Sequence, residues 1–424
     1  MQTIITRICT FLIIVLSFQA CTKDFMPEAP EPQNPIETHA IQLGDGNGQA
    51  IYIGSNYTFK NNPNAAVDYI IRDLIIIYDS VVTVEPGCVI YFEGSTAGIM
   101  TKNKGAFYAQ GTAENPIYFG SNQRWPGSWS GIFIGTDRVE NVFNHCTFEY
   151  AGGESPTEMP VSAALGLHTD IDDLNDPYIN VSNCYFKNNN AYGFYCASLK
   201  GQIFDFSFNR FENQQGIPAA FPLKKAAAIQ SNNQFASLTH PNTAKYVLLF
   251  NDGFNQNSDL DEALTLKKLD VPYRFSGNEG VCIIQAGLTI EPGVVLEFDL
   301  DGGLLIKDGF LNATGTAADP IVFKGISGNL SRWVGISFQN SNAQNQLQYC
   351  EIVSAGSKKA PWCDGQAAVS LGNWFGEAGA ARVENCRISN SGAYAIAKKS
   401  SSTLIQNANT FSLNQSTPDI YNYQ

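Results

Sequence analysis

The chain reads as all-β: a parallel β-helix, or β-solenoid, built from two duplicated units. First, one block of sequence occurs twice. Thr83-Val-Glu-Pro-Gly-Cys-Val-Ile-Tyr-Phe92 returns as Thr289-Ile-Glu-Pro-Gly-Val-Val-Leu-Glu-Phe298. Gly111-Thr-Ala-Glu-Asn-Pro-Ile-Tyr-Phe119 returns as Gly315-Thr-Ala-Ala-Asp-Pro-Ile-Val-Phe323. Trp129-Ser-Gly-Ile and Val181-Ser-Asn-Cys184 return as Trp333-Val-Gly-Ile and Val383-Glu-Asn-Cys386. The offsets, 289 − 83 = 206, 333 − 129 = 204 and 386 − 184 = 202, differ only by small indels. Second, the apolar segments are short and alternate with period two, as in Ile117-Tyr-Phe, Ile132-Phe-Ile and Phe204-Asp-Phe-Ser-Phe, with Gly, Asn and Pro between them. Third, Asn183 and Asn209 lie in similar settings 26 residues apart, and Asn385 and Asn409 in similar settings 24 apart. A period near two dozen fits three short strands and three turns, one coil of a β-helix, stacked at one strand spacing of ~4.8 Å. An antiparallel sandwich of two domains also uses many short strands. The coil period and the lack of tight Asn-Gly hairpins argue against it.

Taken in order, residues 1–20 are expected to be a lipoprotein signal peptide. Arg7 is their only charge, the apolar run from Ile8 to Phe18 is too short for a membrane span of ~20 residues, and Ala20 precedes Cys21. Cys21 is the expected lipid anchor, although Phe18 and Gln19 depart from the usual lipobox. Residues 21–40 carry Pro27, Pro30, Pro32 and Pro35 with few apolar groups and read as a Pro-rich tether. Copy one of the β-helix unit spans 41–244 and copy two spans 245–424. Glu85-Pro86-Gly87 and Glu291-Pro292-Gly293 suit type II turns, with Gly supplying positive φ at the third place. Ser258 to Leu269 is the one stretch with a helical look, expected as a short helix or a polar loop between the units.

The net charge of −13 repels phosphate backbones, so nucleic acid is not expected as a partner. Contact with a membrane is expected through the lipid anchor only. Ten cysteines occur. Cys9 falls in the signal and Cys21 takes lipid, and no zinc-like spacing joins the rest. Cys146 with Cys184, and Cys350 with Cys386, are expected at equivalent corners of consecutive coils, as buried thiols or as disulfides.

These features taken together resemble the right-handed parallel β-helix lipoproteins of Bacteroidota, in the pectate-lyase-like β-solenoid superfamily. The resemblance rests on the Glu-Pro-Gly turn, the Gly-Thr-Ala-x-x-Pro-Ile strand, Trp-x-Gly-Ile and the Asn-Cys coil, over nearly all of residues 50–424. It implies a location at the outer membrane or cell surface. It does not fix an activity, because such folds carry lyases, glycan binders and adhesins alike.

Places where the copies differ are candidate sites. After Leu165-Gly166, copy one continues with Asp170, Asp172, Asp173, Asn175 and Asp176, a set of oxygen donors that suits calcium, with Asp170, Asp172, Asp173 and Asp176 as ligands. After Leu371-Gly372, copy two continues instead with Trp374 and Phe375, with Trp362 nearby. Copy one adds Arg124 and Trp125. Arg124, Trp125, Trp362, Trp374 and Phe375 are therefore candidates for stacking against sugar rings. No catalytic residues are assigned. Asp172, Asp173, Asp176, Asp299 and Asp301 are carboxylates by type only, no Arg or Lys stands among them, and the histidines are scattered. The expected role is non-catalytic binding of glycan or another surface component. The alternatives are a polysaccharide lyase or glycoside hydrolase using the acidic loop, and a purely structural or adhesive surface protein. Acids converging with a base in one groove would favour the enzyme, and exposed aromatic rings would favour the binder.

Overall fold

A computed structural model describes residues 40–169, 176–250, 260–275, 280–326 and 332–424. The architecture is a right-handed parallel β-helix, and every strand pair among the described residues is parallel. Among the described residues, five sheets run along the rod. Sheet I has seven strands, from Ile41–Leu43 to Arg210–Glu212. Sheet II has fourteen, from Ile51–Ile53 to Thr410–Ser412. Sheet III has six, from Tyr57–Phe59 to Gln202–Ser207. Sheets IV and V, with six strands each, begin at Val281–Ile284 and Leu264–Leu266.

Both Glu-Pro-Gly segments turn as expected. Gly87 and Gly293 have φ of 84° and 78°. The Cys88 and Val294 N–H groups donate to the Glu85 and Glu291 carbonyls at 3.2 and 3.3 Å. Parallel, in-register stacking sets like residues above one another, and the core shows it. Phe148, Phe186, Phe211 and Phe235 form a column with centroids 4.8, 4.7 and 5.1 Å apart. Trp129 stacks on Phe92 at 4.2 Å and donates its indole N–H to the Glu149 carbonyl at 2.8 Å. Trp333 does the same with Phe298 at 4.4 Å and the Val353 carbonyl at 2.9 Å. Both indoles are wholly buried.

The expected cysteine register is present. Thr147 pairs with Tyr185, and Glu351 with Arg387, so Cys146 lies beside Cys184 and Cys350 beside Cys386 on adjacent coils. All are free buried thiols. Each thiol does the work of a ladder amide. Cys184 donates to the Phe143 carbonyl at 3.5 Å, and in the next coil Asn209 donates to the Val181 carbonyl at 3.0 Å while accepting from the Cys184 N–H. Cys386 and Asn409 repeat this against Leu347 and Val383. Buried turn carbonyls need such partners.

Three expectations change. Within 258–269, expected as a short helix or a polar loop, Leu264–Leu266 is a strand, with Leu264 and Leu266 inward and Thr265 outward. The helical segment among the described residues is instead the 3-10 turn Leu223–Ala228. The coils are less even than a fixed period suggests. One registered step is Tyr69 to Ile90, 21 residues, and another is Thr147 to Tyr185, 38 residues, because corner loops differ in length. Finally, matching strands lie on different sheets. Val89–Phe92 belongs to sheet I, but Val295–Phe298 belongs to sheet II, which runs unbroken through both halves. The loops after Ala163–Leu167 and Ala367–Leu371, which follow the matching Leu-Gly steps of the two copies, likewise leave different sheets, II and IV.

Candidate functional site

The corner between sheets IV and V gathers most of the aromatic candidates. Strand Ala367–Leu371 ends at Gly372, whose φ of 86° turns the chain outward. Asn373 closes the next loop on itself. Its N–H donates to the Glu377 carbonyl at 3.1 Å, its side chain accepts from the Glu377 N–H at 3.1 Å, and its amide donates to the Glu377 carboxylate. Lys399 Nζ donates to the Asn373 carbonyl at 3.1 Å. The loop tip therefore holds Trp374 and Phe375 out, 53% and 71% exposed, with their rings 5.9 Å apart and edge to face.

Trp362 reaches the same corner from the preceding loop. Gln339 Nε2 pins that loop at the Pro361 carbonyl, 2.7 Å away, and the Cys363 thiol donates to the Gly372 carbonyl at 3.3 Å. Trp362 has φ of 60°, a costly conformation for a bulky residue that places its carbonyl to accept the Trp374 N–H at 2.8 Å. Its half-buried ring has the Lys307 ammonium 5.9 Å from its centroid. A ring fixed this way, beside a cation and two exposed rings, can stack on a flat ligand and hydrogen-bond its edge.

Arg124 and Trp125 sit elsewhere. They occupy the corner between Ile117–Gly120 of sheet I and Trp129–Ile134 of sheet II, and both are exposed, Trp125 by 56%. In sheet II, Trp129–Ile134 is eight strands from Cys350–Val353, roughly 40 Å along the rod. So the five candidates divide into a cluster of three and a separate pair. Asp170, Asp172, Asp173 and Asn175 lie outside the described residues, as does Cys21. Asp176 is described and exposed. Among the described residues no three His, Cys, Asp or Glu side chains converge as a metal site.

The sequence reading missed a polar ladder on the outer face of sheet I. Strand register stacks Glu149, Lys187 and Glu212 in one row. Tyr118 and Asn188 donate to Glu149 at 2.6 and 2.7 Å, and Lys187 Nζ lies 3.4 Å from it. Tyr185, Arg210 and Ser237 donate to Glu212. Burial pushes the Glu212 carboxyl up, but these donors outweigh it and hold it below its ordinary range. Next to the ladder, Tyr185, Lys187, Asn188, Glu212, Asn213 and His240 line a cleft of about 100 Å³. Acids and bases do converge here, yet they satisfy one another, and the space is small for a sugar ring. The three described histidines stay apart. His145 is at a turn, His168 is buried, and His240 is beside Glu212.

Comparison with protein-family models, curated proteins and solved structures finds no match to this chain.

Proposed function

We propose that this protein is a lipid-anchored, non-catalytic glycan-binding protein of the bacterial outer envelope, related to the β-helix lipoproteins of Bacteroidota. The observation that carries the binding role is the aromatic corner. Trp362, Trp374 and Phe375 come from two loops, are tied by a backbone hydrogen bond, and present two rings to solvent. Their partners hold the backbone of both loops, so the corner is preorganised for a ligand. The carboxylates of the sheet I ladder, Glu149 and Glu212, are committed to hydrogen bonds within the protein, which favours a structural role for that ladder over a catalytic one.

A pull-down on insoluble polysaccharides tests the binding role. Wild type is retained on at least one, and the Trp374→Ala/Phe375→Ala double variant passes through. Equal retention of both, or none of either, would overturn the reading. The anchor is tested separately. Cys21→Ser moves the protein from the membrane fraction to the soluble one, and unchanged membrane association contradicts the lipid assignment.

A further inference from the structure

A second cleft, of about 340 Å³, opens at the corner between sheets V and II, lined among others by Tyr349, Glu351, Asn385, Arg387, Ala408 and Thr410. Three successive coils turn this corner with a residue at positive φ: Tyr349 (49°), Asn385 (54°) and Ala408 (51°). Copy one turns its equivalent corner through His145 (48°), Asn183 (54°) and Phe208 (55°). The backbone is thus common to both, and the side chains make the difference. Where copy one has Phe208 and Arg210, copy two has Ala408 and Thr410, and the truncation leaves room.

The groups around that room have hydrogen-bonding capacity to spare. Arg387 pairs with Glu351 through one guanidinium nitrogen. Among the described residues its other N–H groups, the second Glu351 oxygen, the Tyr349 hydroxyl, the Asn385 amide and the Thr410 hydroxyl have no side-chain partner. This is the reverse of the sheet I ladder, where the acids and bases are spent on each other. Mixed donors and acceptors beside an aromatic ring suit a ligand dense in hydroxyls, and the volume falls in the usual range for small-ligand sites, ~300–1,000 Å³. One strand of sheet V, Ala380–Glu384, joins the loop of Trp374 to the corner of Asn385. Five residues of strand span roughly 17 Å. The face between carries Gln346, Gln348 and Arg382, polar side chains that a sugar chain can cross.

We propose that this cleft is a saccharide subsite, and that one glycan chain reaches it from the aromatic corner across sheet V. The ligand class rests on the function proposed above, while the cleft rests on its own geometry. The test is isothermal titration of the full mature chain with four probes: cellohexaose, xylohexaose, mannohexaose and the hexamer of galacturonate. Ala408→Phe refills the cleft with the residue copy one tolerates at the same φ. It should lower affinity for the bound hexamer at least tenfold with an unchanged melting temperature. Arg387→Ala, which removes an exposed side chain, should weaken binding in the same direction and covers the case where Ala408→Phe misfolds. Unchanged affinity in both variants, with loss in Trp374→Ala/Phe375→Ala, overturns the cleft and leaves the aromatic corner standing. Loss in the cleft variants alone does the opposite. No binding of any hexamer by wild type overturns both.

Discussion

The backbone N–H of Trp374 donates to the carbonyl of Trp362 at 2.8 Å, joining two loops that leave different ends of one strand. Trp362 takes positive φ at this bond, and the side chains of Gln339, Asn373 and Lys399 hydrogen-bond the flanking loops, so the corner is held by hydrogen bonds rather than by ring packing.

That distinction predicts how the tryptophans divide. Trp374 and Phe375 are mostly exposed, so replacing either with Ala should change stability by no more than about 0.5 kcal/mol. Trp333 is wholly buried, stacked on Phe298 and hydrogen-bonded to Val353, so Trp333→Ala should cost about 3–5 kcal/mol. Denaturant titration of the three variants checks both values. Similar losses at 333 and 374 would show that the corner rings are packing residues.

The cysteine column predicts thiols that do not react in the folded state. Burial raises the Cys146 and Cys350 thiols, and all eight described cysteines are buried. Iodoacetamide should label none of them natively and all eight after denaturation. Four labels after denaturation would mean that the two neighbouring pairs are bridged. Cys184→Ser keeps a donor for the Phe143 carbonyl, whereas Cys184→Val strands it, at about 1–3 kcal/mol. Melting curves of the two should separate in that order.

Much of this fold was legible because its signals are local. A Glu-Pro-Gly turn forms from its own residues, and the Cys146 and Cys184 register follows from repeated spacing. The phase between the copies was not legible. Val89–Phe92 and Val295–Phe298 carry the same local pattern, and the sheet each joins depends on how the chain packs between them. The cleft at Tyr349 and Arg387 was hidden for a related reason: its walls come from four coils. The substitution of Phe208 by Ala408 was the available signal, and it is visible only once the corner is aligned. The Glu149–Lys187–Glu212 ladder likewise needs the strand register, since its members are far apart in the chain.

The first described coil is tied down by a buried carboxylate. Asp73 accepts the backbone N–H groups of Asp45, Gly46 and Gly48 at 3.0, 2.9 and 2.8 Å. The turn fits because Gly44 has φ of 83° and a Cβ there would collide with the carboxylate. Asp73→Ala should expose those three amides to hydrogen exchange and cost about 1–3 kcal/mol locally, while sheets IV and V keep their protection. Uniform loss of protection along the rod would contradict a local role.

Glu212 predicts an acid limb of the stability profile. Its folded carboxyl is held below its ordinary value of 4.5 by Tyr185, Arg210 and Ser237 against the pull of burial. The folded state thus binds the proton less readily than the unfolded chain. The resulting stabilisation is complete above the ordinary value and is lost as pH falls through the lower, folded one. Glu212→Gln should be less stable than wild type near neutral pH, with the gap closing as the solution is acidified below about 4. A gap that does not change with pH would show that Glu212 acts through packing alone.

The central claim is that the rod is a scaffold and the corner at Trp374 holds the glycan. Affinity electrophoresis through gels cast with soluble polysaccharides tests it most directly, using wild type, Trp374→Ala/Phe375→Ala and Trp125→Ala. The account predicts that one polysaccharide retards wild type and Trp125→Ala alike, because Trp125 lies far along the rod. The double variant should run at its mobility in a plain gel. Equal retardation of all three proteins, or retardation lost in Trp125→Ala and kept in the double variant, would contradict it.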